Sequence, residues 1–328
     1  MELQSKKDVL ANLKTFRVDL TDPMRDLNYR EGVLIKGDFG WAEFAPFENH
    51  PINHCSRWLQ AALEMAWTKL PEPKLKEIKV NAISVSPDPQ KAIKILEETG
   101  CLTLKVKLSG HELVKDIEFL RQIVKVKPNM IFRIDFNGSL TLDQALNYCA
   151  KLNEFNIEYL EQPCGSLTDL KKLKSKTAIK IAVDENLRLT EDATDPIHIR
   201  EITDIADFVV VKPIPVGGIK RFQKIAEQII GSGKKVIVSG SMDTSVGLYQ
   251  TALAQSLVEE KFQLAAGAAT GSILSTDVVS NTLKAHNGVL EVKRLEVVET
   301  LVKESPNKNS LLKRLDESFE YGRREGWF

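Results

Sequence analysis

Met130-Ile131-Phe132-Arg133-Ile134-Asp135-Phe136-Asn137-Gly138 is the stretch on which the fold turns. A β-strand sends alternate side chains to opposite faces, so Phe132, Ile134 and Phe136 share one side while Arg133, Asp135 and Asn137 share the other. The apolar side needs helices to cover it. The polar side then faces the interior of a curled sheet, with its charge at the C-terminal end of the strand. Leu102 to Leu108 repeats the arrangement: Leu102, Leu104, Val106 and Leu108 on one face, Thr103, Lys105 and Lys107 on the other. Two lysines are thereby aimed inward, where an unpaired ammonium is costly and needs partners. Tyr159 with Glu161, Ala182 with Asp184, and Phe208 and Val210 with Lys212 follow the same rule, each segment ending on its charged residue.

Outward from this core, short Val- and Ile-rich runs alternate with stretches of helical period from about Ile78 onward, the signature of repeated βα units. The predicted strands are Ile78 to Val85, Leu102 to Leu108, Met130 to Asp135, Ile157 to Glu161, Ile179 to Asp184, Phe208 to Lys212, Val236 to Ser239 and Leu264 to Gly267. Amphipathic segments Glu112 to Lys127, Leu142 to Phe155, Ile219 to Ile230 and Val246 to Glu259 lie between them, the second opened by Thr141 as a cap. An open doubly wound sheet would alternate in the same way, and it is the strand count that favours an α/β fold with a (β/α)8, TIM-like barrel. Ahead of it, Val33 to Lys36 and Trp41 to Phe44 flank Gly37-Asp38-Phe39-Gly40 and predict a hairpin. The expected organisation is an α+β capping domain over residues 1–77, a barrel over 78–270, and a C-terminal segment, 271–328, returning to the cap. Within that segment, Val289 to Val292 and Leu295 to Val302 are candidate strands. Lys171, Lys172, Lys174 and Lys176 read as a solvated helix face.

Lys plus Arg and Asp plus Glu number 45 each, so no net field draws the chain to nucleic acid or an anionic membrane. Cys55, Cys101, Cys149 and Cys164 are scattered with no CxxC pair, and the charged start Met1-Glu2-Leu3-Gln4-Ser5-Lys6-Lys7 leads into no apolar run. A reduced, cytoplasmic setting is expected, with a small molecule rather than a macromolecule as partner; oligomeric state is not legible.

Barrel enzymes assemble their sites at the C-terminal ends of the strands. One charged residue there is commonly a loop salt bridge, and Lys105 alone would be read so, but charges end five strands here. Asp135, Glu161 and Asp184, on three consecutive strands, would repel one another without a divalent cation between them. Oxygen-only donors suit Mg²⁺, with Mn²⁺ as a substitute, whereas zinc favours His or Cys. His50, His54, His111, His198 and His286 all lie away from the strand ends and read as surface or structural.

The ordered set Lys105-Val106-Lys107, Arg133-Ile134-Asp135-Phe136-Asn137-Gly138, Glu158-Tyr159-Leu160-Glu161-Gln162-Pro163, Val183-Asp184-Glu185-Asn186 and Val211-Lys212-Pro213 resembles the enolase superfamily in its muconate lactonizing enzyme-like subgroup, over nearly the whole chain. The resemblance implies a modified barrel under an α+β cap, with Asp135, Glu161 and Asp184 as Mg²⁺ ligands. It further implies Lys107 as the proton-transferring lysine on one substrate face, Lys212 on the other, and Lys105 as an electrostatic assistant. Lys105 and Arg133 are the cations expected near Lys107, where they would lower its pKa.

Within the superfamily, Ser239-Gly240-Ser241-Met242-Asp243-Thr244-Ser245-Val246-Gly247 and the short Leu264 to Gly267 strand are similar to those of the o-succinylbenzoate synthases. That likeness implies a lyase acting on a small carboxylate, 2-succinyl-6-hydroxy-2,4-cyclohexadiene-1-carboxylate, by loss of water. Arg133, Asn137, Ser239, Ser241 and Gly267 are the expected substrate-binding positions. Mandelate racemase-like members carry a catalytic His where this chain has Ser239 and Gly240. N-acylamino acid racemases and dipeptide epimerases use the same ligands and lysines. The Asp-x-Asp common in the epimerases has no counterpart in Ala265-Ala266-Gly267-Ala268-Ala269-Thr270. A non-catalytic binding barrel would be expected to have lost a ligand or a lysine.

Overall fold

A computed structural model describes residues 6–24, 27–108 and 110–328; the start Met1–Ser5 lies outside them. After α1 (Lys6–Ala11), strands β1 (Leu13–Met24), β2 (Leu27–Gly37) and β3 (Gly40–Phe44) pair antiparallel, and Gly37 faces Gly40 across the predicted hairpin. A side chain at Gly37 would put its Cβ 2.5 Å from Ala66 O, so the hairpin tip can lie against α2 (Ile52–Trp67) only because that residue is glycine. α2 buries Cys55, Trp58, Leu59, Ala62 and Leu63.

β4 (Glu77–Lys79) precedes the parallel sheet of β5 (Ala82–Ser84), β6 (Thr103–Lys107), β7 (Ile131–Asp135), β8 (Ile157–Glu161), β9 (Ile181–Val183), β10 (Phe208–Val211) and β11 (Lys235–Val238), arranged in chain order. The helices between and after them are α3 (Pro89–Thr99), α4 (Leu113–Val126), α5 (Leu142–Leu152), α6 (Leu167–Lys174), α7 (Glu185–Arg188), α8 (Pro196–Ile205), α9 (Ile219–Gly231) and α10 (Ser245–Leu257). Thr141 caps α5 in a full capping box with Gln144. Leu104 and Val106 are buried under this helical layer. Leu102, expected on the same face, precedes β6 and is 78% exposed.

Three expected strands differ. Ile78 to Val85 is split: β4 pairs antiparallel with β12 (Val289–Glu291), and only β5 enters the parallel sheet. Leu264 to Gly267 forms no ladder but closes the sheet through single bridges, Val80 with Ala266 and Ser239 with Gly267. Ala and Gly have little strand preference, and a Cβ at Gly267 would lie 2.5 Å from Ser239 Oγ. Leu295 to Val302, also expected as strand, runs irregularly into a single helical turn at Glu299–Leu301, holding isolated bonds such as Val298 N–H to Val278 O rather than a ladder. The chain ends in α11 (Lys308–Arg324), packed on α2, where Ser56 Oγ donates to Ser318 O at 2.8 Å.

The main apolar core lies between the sheet and its helices and runs into α2. A second cluster joins Phe16, Leu34 and Trp41 of the cap to Val246, Leu274 and Val278. Tyr159, Ala182, Phe208, Val210 and Ile237 fill the barrel interior. Among the described residues no helix is long and apolar enough to cross a membrane.

Candidate active site

Parallel pairing sets strand ends side by side: Lys107 opposite Asp135 and Asp135 opposite Glu161, with Asp184 following β9 directly. Asp135, Glu161 and Asp184 are at most 1% exposed. Buried carboxylates require paired positive charge, and four cations supply it. Lys105 Nζ stands 2.6 Å from Glu161 Oε1 and 3.0 Å from Asp135 Oδ2. Lys107 Nζ is 3.3 Å from Asp135 Oδ2 and donates to Asn137 Oδ1 at 3.2 Å. Lys212 Nζ lies 2.7 Å from Asp184 Oδ2, and Arg188 Nε 3.1 Å from Asp184 Oδ1. In sheet order, β6 and β10 lie on either side of β7, β8 and β9, so Lys107 and Lys212 flank the three carboxylates.

The electrostatics divide the trio. Burial would raise all three carboxyls, but Lys105, then Lys107 and Lys212, hold Asp135 well below the usual range, and Lys212 with Arg188 lowers Asp184. Glu161 goes the other way: burial and then Asp135 push it up to about 7. Lys105, though desolvated, is raised well above 10.5 by Asp135 and Glu161 and stays charged.

The donor chemistry fits a divalent cation. It is all carboxylate, and Glu161 Oε2 is buried without a hydrogen-bond partner, which in a carboxylate calls for a cation or water. Among the described residues no trio of His, Cys, Asp or Glu already stands at coordinating separation. Lys105 lies against Asp135 and Glu161 and Lys212 against Asp184, and a cation would compete with those ammonium groups for the oxygens.

Three side-chain-bearing residues in the left-handed region lie beside these ends: Asn137 (φ 48°) and Gln162 (φ 40°) follow β7 and β8, and Met242 (φ 64°) follows the Ser239–Ser241 stretch after β11. Such strain persists where surroundings enforce it, characteristically at functional sites. Gln162 is fully buried and orients the neighbouring strand end, its Oε1 accepting from Asp184 N at 3.1 Å.

Beside this layer lies a cavity of about 340 Å³. Lys105, Lys107, Asn137, Lys212, Ser239, Ser241 and Gly267 line it, as the sequence led us to expect. Arg133 does not, which corrects its expected substrate-binding role. Its guanidinium is 1% exposed and committed to Glu158 (2.6 Å), Asn81 and Ala265 O inside the barrel, so it is not free to stand as a cation beside Lys107 either. Phe47, His50 and Trp58 of the cap, and Glu185 and Arg188 of α7, also line the cavity and were missed. The four-residue spacing of Asp184 and Arg188 on a helical turn was the one local signal available. His50 corrects the reading of the histidines as uniformly remote; burial, then Arg188, lowers its pKa to about 4 and keeps the ring neutral.

The enolase C-terminal domain-like family matches residues 89–296, and the enolase N-terminal domain-like family residues 15–66. The chain is 35% identical over 290 residues to an o-succinylbenzoate synthase of Thermobifida fusca, covering 87% of this chain and 89% of the relative. An o-succinylbenzoate synthase of Mycolicibacterium smegmatis is 31% identical over 275 residues, covering 83% of each. In fold, the chain is similar to a dipeptide epimerase from Enterococcus faecalis crystallised with Mg and the dipeptide L-Leu-L-Tyr. There the TM-score is 0.71 and the identity 18%, over 87% of this chain and 97% of that one.

Proposed function

The chain belongs to the enolase superfamily, among its o-succinylbenzoate synthases, and from that membership we propose that it is a hydro-lyase removing water from 2-succinyl-6-hydroxy-2,4-cyclohexadiene-1-carboxylate to give o-succinylbenzoate, a step toward menaquinone. The observation that carries the reading is the placement of Lys107 and Lys212 at the ends of strands flanking three buried carboxylates and facing one cavity. Members of the superfamily bind a divalent metal such as Mg²⁺; here Asp135, Glu161 and Asp184 would hold it. When bound, Mg²⁺ or Mn²⁺ supplies the positive charge that offsets the second negative charge gathering on a substrate carboxylate as its neighbouring proton leaves.

The chain's own residues do the rest. Lys107, positioned by Asp135 and Asn137, takes the proton; the resulting ammonium then protonates the departing hydroxide on the same face. Lys105, locked between Asp135 and Glu161, stays charged and serves as a fixed cation. Lys212 stands against the ring from the other side as a cation. Asn137, Ser239, Ser241 and the Gly267 backbone position the succinyl and carboxylate groups. Residues 1–77, with the returning segment 271–328, cap the barrel of residues 78–270. The four free, buried cysteines suit a reduced compartment, and we place the reaction in the cytoplasm.

The flanking lysines would also serve proton exchange on both faces of an N-acylamino acid, which makes racemisation the second reading. The purified protein should consume the diene absorbance of the cyclohexadiene with Mg²⁺, lose that activity to a chelator, and regain it with Mg²⁺ or Mn²⁺. Full turnover by metal-free protein, or none by the metal-loaded form, contradicts the reading.

A further inference from the structure

The cavity wall Ser239-Gly240-Ser241-Met242 is held from the cap by side chains that do not themselves line the cavity. Glu43, on β3 and 4% exposed, accepts from Thr244 N at 3.1 Å, Gly247 N at 3.2 Å and Thr244 Oγ1. These donors open α10, so the carboxyl sits over a helix start, where unsatisfied N–H groups gather. Gly247 permits the approach: a Cβ there would lie 3.1 Å from Glu43 Oε2 and 2.8 Å from Asp243 Cβ. Asp243, also buried, accepts from Ser241 N at 2.8 Å. Arg30 of β2 donates to Met242 O at 3.1 Å and to Ala45 O, with its guanidinium 4.2 Å over the Phe47 ring. The left-handed Met242 is thus fixed by its surroundings, and the fixing contacts come from the other unit of the fold.

We propose that Glu43 and Arg30 are positioning residues through which the cap sets the Ser239–Met242 wall against which substrate binds. This rests on the preceding reading of the cavity as the substrate site. Filling space does not account for the pair, because the joint around them is built from Phe16, Leu34, Trp41 and Val246, and apolar side chains would fill it without burying charge. Burial, then the neighbouring Asp243, pushes the Glu43 carboxyl up to about 8, so the acid is kept there at a cost.

The test is steady-state kinetics of the Mg²⁺-loaded protein on the cyclohexadiene. The wall contacts serve bound substrate and transition state alike, so Glu43→Ala is expected to raise KM about tenfold with kcat within about twofold of wild type. Glu43→Gln keeps an acceptor oxygen and is expected to restore most of the affinity. Should Glu43→Ala not fold, Thr244→Val, which removes one donor of the contact, stands in with a several-fold rise in KM. Unchanged KM in a folded Glu43→Ala or Thr244→Val protein, a fall in kcat at constant KM, or a Gln variant as poor as Ala overturns the proposal. Amide hydrogen exchange separates this from the identity of the reaction. Ser241, Thr244 and Gly247 should exchange at least about tenfold faster in Thr244→Val than in wild type with no substrate present. Unchanged exchange overturns the positioning role, whereas wild-type protein that ignores the diene overturns only the reaction.

Discussion

Glu161 is set apart from the two acids beside it. Lysines and Arg188 hold Asp135 and Asp184 low, while burial and the neighbouring carboxylates push Glu161 up to about 7. In metal-free protein at pH 8, neutralising Glu161 relieves a buried repulsion and leaves Lys105 its contact with Asp135, while neutralising Asp135 or Asp184 strands Lys107 or Lys212. Glu161→Gln is therefore expected to melt above the metal-free wild type, and Asp135→Asn and Asp184→Asn below it, by roughly 2 °C per kcal/mol in a chain of this size. All three should lose metal-dependent turnover. Differential scanning calorimetry in chelator checks the order, and an equal fall in all three would make the cluster a structural one. Period-two alternation revealed that these side chains point inward. It gave no information on depth, which is why Arg133, on the same face as Asp135, was expected at the cavity but lies with Asn81 and Glu158 inside the barrel.

Elements with a local chemical signature were legible. Thr141 was read as a cap, and its reciprocal bonds with Gln144 open α5 just beyond the Asn137–Gly138 turn. Thr141→Ala should cost about 1 kcal/mol in urea unfolding and leave kcat/KM unchanged, because the box fixes the helix rather than the strand end. The first and last strands of the barrel were less legible. Ile78 to Val85 reads as one run, yet its halves pair with different partners, and Ala265-Ala266-Gly267 closes the barrel by single bridges that no propensity signals. The joint between β3 and α10 carries a pH dependence. Glu43 is raised from 4.5 to about 8 by burial and Asp243, against Thr244 and Arg30, with Asp277 adding to the rise. The folded protein thus keeps a proton that the unfolded chain has released, and this contribution is full below pH 4.5 and is lost as pH rises through about 8. Stability should fall over that window, and Glu43→Gln should flatten the fall by at least about 1 kcal/mol between pH 5 and pH 8. Parallel profiles for the two proteins would contradict it.

At the scale of the molecule, the cap completes what the barrel begins. Phe47, His50 and Trp58 reach the cavity from positions 47 to 58 residues before Lys105, and no periodicity links them to the strand ends they approach. The barrel's charged rim follows from the pattern of its strands, whereas the cap's contribution depends on how two separately patterned units meet. Together they leave one cavity between two lysines, and what those lysines do decides the reaction. A dehydration on one face needs one acid/base lysine; racemisation needs proton exchange on both. Arginine keeps the charge but cannot act as a base. The direct measurement is turnover of the cyclohexadiene by Lys107→Arg and Lys212→Arg beside α-proton exchange of N-succinyl amino acids in D₂O. The account predicts that Lys107→Arg abolishes diene turnover, that Lys212→Arg keeps a measurable fraction of it, and that any exchange suffers far more from Lys212→Arg than dehydration does. Wild-type protein that exchanges and racemises the amino acids efficiently while leaving the diene untouched, or a Lys107→Arg variant that still dehydrates, would contradict it.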